Sequence, residues 1–253
     1  MPTMENLDLL IDLHRDSARQ GPGGDAETRL AMRLAGLDRS VPLTIADIGC
    51  GSGSSTLLLA RELDARIRAV DLLPEFIDAL RKTAAEQGLA DHIDAQVASM
   101  DELPFEEESF DVIWSEGAVY NMGFERGVSE WRRYLKPGGI VAVSEITWLT
   151  HERPAELQEY WNGAYPEIDT ASAKFRVLER AGYTPVGYFI LPEHCWLDNY
   201  YWPLQARFDA FLARHGHGVE AKALVRVERE EIALYETHRS YFSYGFYIAK
   251  KTA

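Results

Sequence analysis

Two carboxylates and three glycines stand at a spacing that can build a ligand site. Asp47 leads the phrase DIGCGSG, which places Gly49, Gly51 and Gly53 at alternate positions, and Asp71 closes the next apolar run. Glycines at such positions admit positive φ and let a ligand approach the main chain closely. A carboxylate at the end of the following strand can accept two hydrogen bonds from a vicinal diol. A phosphate-binding P-loop needs a lysine after its last glycine, but Ser54, Ser55 and Thr56 follow here. A dinucleotide fingerprint prefers glycine where Ser54 stands. Asp47, two residues before the first glycine, opposes a pyrophosphate and suits a ligand that carries a cation. A plain strand–helix turn without ligand would leave these glycines and acids without a use.

The elements that must position these groups are legible around them. Thr44 to Ile48 is a short apolar run of the kind buried on both faces of a sheet. Leu57, Leu58, Ala60 and Leu63 give helical periodicity from Ser54 onward, and Ile67 to Val70 forms the next strand. A right-handed βαβ unit brings the glycine loop and the second strand's end to one edge of the sheet, where open parallel sheets bind ligands. S-adenosylmethionine has the matching chemistry: a sulfonium, an ammonium, a ribose diol and no phosphate. The stretch Asp47 to Gly53 together with Asp71 resembles the class I S-adenosylmethionine-dependent methyltransferases. The core is similar to the branch that includes ubiquinone and menaquinone C-methyltransferases. The resemblance covers roughly residues 20–147, and 171–250 by topology. It implies an α/β fold: a doubly wound, Rossmann-like, mostly parallel seven-stranded sheet with its last strand antiparallel. Helices would lie on both faces, with aromatic-rich insertions after strands five and six. S-adenosyl-L-methionine would be the cofactor and S-adenosyl-L-homocysteine the product.

The same resemblance assigns further residues. An amphipathic helix over Met4 to Arg19 carries Leu7, Leu10, Ile11 and His14 on one face, and Asp25 caps a helix to about Leu37. Between them Gly21 to Gly23 are expected at the cofactor's methionine end. Leu72 is expected against the adenine, with Ser99 and Met100 holding its edge and Asp101 as the substitute for Ser99. The fourth strand, Phe110 to Ser115, ends under the methyl group in the family, which places Ser115 at the cofactor and Glu116, Tyr120 and Asn121 at the acceptor. A helix over Phe124 to Leu135, a tight turn at Lys136 to Gly139 and a fifth strand from Ile140 to Ile146 follow. Residues 148–170 and 192–240 are rich in aromatics. They read as a lid over the site, or as the core of added helices or a dimer interface. His151 and His194 join Glu116 and Tyr120 as candidate bases.

Composition bounds the function. The chain has 253 residues and suits one domain: N-terminal helices over 1–40, a cofactor-binding core over 41–147, and the two insertions. A net charge of −14 argues against a nucleic-acid partner. Cys50 and Cys195 lie far apart, and no signal-like or membrane-spanning run is visible, so a cytoplasmic protein with reduced thiols is expected. No metal is expected, since no H-E-x-x-H or Cys/His set is present. An isologous dimer is the default association. The expected reaction is in-line methyl transfer to a small-molecule acceptor, for which an amine or a phenol suits the acidic balance and added aromatics. Two rivals remain at this point: a non-catalytic S-adenosylmethionine-binding sensor or partner subunit, and a nicotinamide-dependent dehydrogenase, whose Tyr-x-x-x-Lys motif is not found.

Overall fold

A computed structural model describes residues 4–15 and 17–252. In chain order its elements are α1 (Met4–His14), α2 (Asp25–Leu34), β1 (Leu43–Ile48), α3 (Ser54–Glu62), β2 (Ala65–Asp71), α4 (Pro74–Glu86), β3 (Ile93–Val97), β4 (Phe110–Glu116), α5 (Phe124–Trp131) and β5 (Leu135–Trp148). After these come α6 (Ala155–Ala164), β6 (Asp169–Thr170), α7 (Ala171–Arg180), β7 (Tyr183–Ile190), α8 (Glu193–Trp196), α9 (Trp202–Gln205), α10 (Phe208–Arg214), α11 (Val219–His238) and β8 (Phe242–Lys251).

The sheet runs β3-β2-β1-β4-β5-β8-β7, with β6 pairing β5 off this path. The expected seven strands form the path, and the two-residue β6 is an eighth that the sequence did not announce. Pairings among β1 to β5 are parallel, while β8 runs antiparallel to both β5 and β7. The order reverses between β1 and β4, and that switch point opens the crevice in which such sheets bind ligands.

Strand side chains alternate between two cores, which is why the strands read as continuous apolar runs. Ile45, Val112, Trp114, Ala142, Phe246 and Ile248 join the helices of one face. Ala46, Ile48, Ile113, Val141, Val143 and Tyr247 join α5 and α7 on the other. The first core extends outward through Leu13 of α1 and through Trp196, Phe208, Val225 and Ile232. The aromatics of the second insertion therefore belong largely to the same core as the sheet.

Several boundaries differ from expectation. Helix α1 ends at His14 rather than Arg19; the expected span included Asp16, which lies outside the described residues. The first insertion is not a bare connection, since α6 occupies its middle. Lys136 to Gly139 is not a turn before the fifth strand. It is a bulge inside β5, where the register against β4 shifts between Phe110 and Val112. Lys136 Nζ reaches Asp111 at 2.8 Å, and Asp111 also accepts the Thr44 N–H at 2.8 Å, which fixes the bulge to β1. Among the described residues, no helix is long and apolar enough to cross a membrane.

Candidate active site

The glycine loop is clamped from the β2 side. The N–H groups of Gly49 and Cys50 both donate to the Val70 carbonyl, at 2.8 and 3.0 Å. Asp71 accepts Gly51 N–H at 2.9 Å and Leu73 N–H at 3.0 Å. Burial pushes the Asp71 carboxyl above its ordinary range, against the pull of those N–H groups. Gly49 has φ +73°, and a Cβ there would lie 2.3 Å from Ala118 Cβ. Gly49, Gly51 and Asp71 all line one large cavity of about 880 Å³ at this edge of the sheet.

Asp47 and Gly53 lie behind the loop rather than on the cavity wall. Asp47 is fully buried and accepts hydroxyl bonds from Ser55 at 3.0 Å and Thr56 at 2.6 Å, so it ties β1 to the first turn of α3. Its other oxygen, Oδ1, has no partner among the described residues. Burial pushes this carboxyl up to about 7; the Thr56 bond opposes the shift and the nearby Glu116 charge adds to it. A Cβ on Gly53 would lie 2.2 Å from Leu80 Cδ1, so this glycine serves the approach of α4. Ser115 is also off the wall: its buried hydroxyl donates to the Ile48 carbonyl at 2.8 Å and ties β4 to β1.

The N-terminal segment closes over the loop. Gln20 Oε1 accepts both the N–H and the hydroxyl of Ser52, at 2.9 and 3.0 Å. Gly21 lines the cavity. Gly23 does not; its N–H donates to the Cys195 carbonyl and its carbonyl accepts Asn199 Nδ2 at 2.7 Å, so it docks the second insertion. Glu116 lines the cavity but is heavily held. Its Oε1 accepts Thr28 Oγ1 at 2.7 Å and Trp114 Nε1 at 3.0 Å, and its Oε2 accepts Arg19 Nη1 at 3.2 Å. Three donors leave it poorly suited to take a proton, and its geometry is that of a positioning group rather than a base.

Leu72, Phe76, Ser99, Met100 and Asp101 form the next part of the wall. Leu72 is 63% exposed beside Asp71, an apolar surface that a flat ring can cover. Ser99 and Asp101 bond to one another, and Asp101 also pairs with Arg126 at 2.6 Å. Beyond this region the cavity continues among aromatics. Tyr120 meets Tyr165 edge-on with centroids 6.2 Å apart, and Tyr160, Trp161, Trp196, Tyr200 and Tyr244 join them on the wall. Residues 148–170 and 192–240 thus both reach the chamber.

The two histidines expected as bases do not line the cavity. His151 is exposed on the loop after β5. His194 is 47% exposed and lies 3.3 Å from Glu27. With Cys195 these two form the one grouping of metal-ligand types close enough to share an ion among the described residues, a juxtaposition the sequence spacing did not suggest. Burial and the Glu27 carboxylate push the Cys195 thiol up, so it stays protonated as a donor to Glu27.

The chamber also contains groups that the sequence reading missed. His14 lines it, with Nε2 3.7 Å from Glu228 and its ring stacked on Tyr200 at 6.2 Å. Glu231 lines it, accepting the Tyr201 hydroxyl at 2.9 Å. The available signal was the i,i+3 spacing of Glu228 and Glu231, which puts both on one face of α11.

Residues 46–143 match the methyltransferase domain family. Over those residues the chain carries a methyltransferase domain. A malonyl-(acyl-carrier protein) O-methyltransferase of Herminiimonas arsenicoxydans is 32% identical over 149 residues, covering 58% of this chain and 54% of that protein. The chain spans about half the length of the first curated relatives it matches, 54% and 48%. A methyltransferase of Geobacter sulfurreducens in complex with S-adenosyl-L-homocysteine superposes with TM-score 0.81 over 98% of each chain at 17% identity. The cyclase SpnF superposes with TM-score 0.77 over 99% of this chain and 94% of its own at 21% identity. These superpositions establish that the methyltransferase fold extends through both insertions.

Proposed function

We propose that the protein transfers a methyl group from S-adenosylmethionine to a small organic acceptor bound in the same cavity. One observation carries this reading: a single cavity runs from the glycine loop and Asp71 to an end walled by aromatic residues. At about 880 Å³ it has the size of a site for a cofactor together with a small partner.

The donor set fits the cofactor. Asp71 suits the ribose diol, exposed Leu72 the adenine face, and Ser99 and Met100 the adenine edge, while Gly21, Gly49 and Gly51 bring main chain to the methionine end. The cationic types on the wall are Arg19 and His14, and Arg19 is paired with Glu116, which favours a cationic ligand over a pyrophosphate. When bound, the cofactor offers a methyl carbon already activated by sulfur: the acceptor's lone pair forms the new bond as the C–S electrons return to sulfur. What the chain supplies is alignment and exclusion of water, and positioning of this kind is worth up to roughly 7–11 kcal/mol in model reactions. Residues 148–170 and 192–240 supply the lid. Both cysteines are buried and unpaired, which supports the expected reducing, cytoplasmic setting.

The sensor reading is not favoured, because a sensor has no need of the aromatic-walled space beyond the glycine loop and Asp71. The test is calorimetric titration with S-adenosylmethionine, S-adenosylhomocysteine and NADH, followed by an acceptor screen with labelled methyl. Micromolar binding of the first two, about −8 kcal/mol, with label moved to an acceptor, is expected. Binding of NADH alone would overturn the reading, and cofactor binding without label transfer across a broad screen would favour the sensor.

A further inference from the structure

We propose that the far chamber selects an organic amine, bound as its ammonium between Glu231 and a group of tyrosine rings. The inference rests on the methyl-transfer reading for the purpose of the site, and it narrows the acceptor to a cation.

The first ground is the balance of charge on the wall. Asp71 and Asp101 face the cofactor end, Glu116 is neutralised by Arg19, and Glu228 lies beside His14. Among the described residues Glu231 accepts one side-chain hydrogen bond, from the neutral Tyr201 hydroxyl at 2.9 Å. Burial and the neighbouring Glu228 charge push its carboxyl up, while the Tyr201 hydroxyl and the His14 ring oppose the shift without cancelling it. A buried carboxylate is costly until it is paired. An anionic acceptor would meet Glu228 and Glu231 together, and a neutral phenol would leave Glu231 as it is.

The second ground is the surface around it. Tyr120, Tyr160, Tyr200 and Tyr244 all line the chamber. Tyr200 and Tyr244 are partly buried, while Tyr120 and Tyr160 keep 44% and 41% of their surface open; desolvation of the hydroxyls, with the Glu231 charge adding to each, pushes all four up, so all four stay neutral. Neutral aromatic faces attract ammonium and exclude water. A carboxylate backed by such rings is an ammonium site on general grounds.

The chemistry balances. An amine bound as its ammonium gives one proton to the Glu231 carboxylate. Its freed lone pair then forms the N–CH₃ bond as the C–S bond breaks with its electrons to sulfur. The nitrogen regains its positive charge among the rings.

The test is binding of three probes of similar size, benzylammonium, benzyl alcohol and benzoate, measured by calorimetry on the S-adenosylhomocysteine-loaded protein and on the free protein. The ammonium is expected to bind at least tenfold tighter than the alcohol, with benzoate weaker still. Glu231→Gln should abolish that preference while S-adenosylhomocysteine affinity, which also reports folding, is retained. Equal or tighter binding of the alcohol or benzoate overturns the proposal whatever the variant does, and so does a preference that survives Glu231→Gln. Failure of the wild-type protein to bind S-adenosylhomocysteine, with its ammonium preference intact and lost in Glu231→Gln, would instead overturn the methyl-transfer reading and leave the cation site standing.

Discussion

Thr28 Oγ1 donates a 2.7 Å hydrogen bond to Glu116 Oε1 across 88 residues of chain. The same carboxylate receives Trp114 Nε1 from its own strand and Arg19 from the N-terminal segment. Glu116 therefore joins the end of β4, the start of α2 and the segment that carries Gln20 and Gly21 to the glycine loop. It is the clasp that closes one wall of the cavity.

Glu116→Gln tests the clasp. The amide keeps an acceptor for Thr28 and Trp114 but removes the charge opposite Arg19, whose side chain is only 11% exposed. Breaking a partly buried pair while Asp25 still reaches Arg19 should cost about 1–3 kcal/mol. Urea unfolding should show that loss, and S-adenosylhomocysteine affinity should fall with it, because Gln20 and Gly21 are no longer held. A fall in affinity at unchanged stability would mean that Glu116 touches the cofactor itself.

Gly49→Ala should abolish cofactor binding, since the new Cβ would sit 2.3 Å from Ala118 Cβ. The second change Ala118→Gly removes the clash but not the strain of φ +73°, which costs roughly 1–2 kcal/mol for a residue with a Cβ. The double variant is thus expected to recover binding only in part, at about five- to thirtyfold weaker affinity by calorimetry. Full recovery would assign the whole effect to the clash.

The strand–loop–helix–strand unit was legible because each signal was local: an apolar run, alternate glycines, a helical period and a terminal acid. Leu72, Ser99, Met100 and Asp101 could be placed because they follow strand ends, and strand ends share one edge of a parallel sheet. Asp47, Gly53 and Ser115 carry the same local signals yet point behind the loop. Sequence period fixes the strand, but which side of a turn a side chain serves depends on Ser55, Leu80 and Ile48 across it. The chamber was the least legible. His14, Tyr200 and Glu231 come from three separated segments, and the packing of α1 against α11, with the His14 ring on Tyr200, brings them together. The histidines that were singled out, His151 and His194, had chemistry in their favour but no element to aim them at the cavity.

Lys174 Nζ donates to Glu145 Oε1 at 2.9 Å and to the Glu167 carbonyl at 2.7 Å, with side chains 3% and 1% exposed for the ion pair. The ammonium also sits 4.5 Å over the Phe124 ring. Lys174→Met leaves Glu145 buried without its cation and should cost about 3–5 kcal/mol in urea unfolding. Adding Glu145→Leu should return most of that loss, because two apolar side chains replace a desolvated pair. A double variant as unstable as the single one would show that β5 and α7 depend on the pair's geometry rather than on its charge balance.

Asp47→Asn separates loop support from cofactor contact. The folded carboxyl titrates near 7 and the unfolded one near 3.8, so between those values the folded state holds the extra proton. Stability from this group is therefore present at low pH and lost as pH rises from about 4 to about 7, by at most about 1.4 kcal/mol per unit. Asparagine does not titrate and still offers an oxygen to Ser55 and Thr56. The difference in unfolding free energy, variant minus wild type, should rise across that window and level off above pH 7. A flat difference would place Asp47 in a solvated or charge-paired setting. Cofactor affinity supplies the second half of the comparison. Asp71 lies on the cavity wall and Asp47 behind it, so Asp71→Asn should weaken S-adenosylhomocysteine binding about tenfold or more, the worth of a hydrogen bond to a charged group. Asp47→Asn should weaken it less, because its effect must pass through the Ser55 and Thr56 hydroxyls and the loop they steady. If Asp47→Asn proved the more damaging of the two, the loop would have to open far enough in solution for the buried carboxylate to meet the cofactor's ammonium directly.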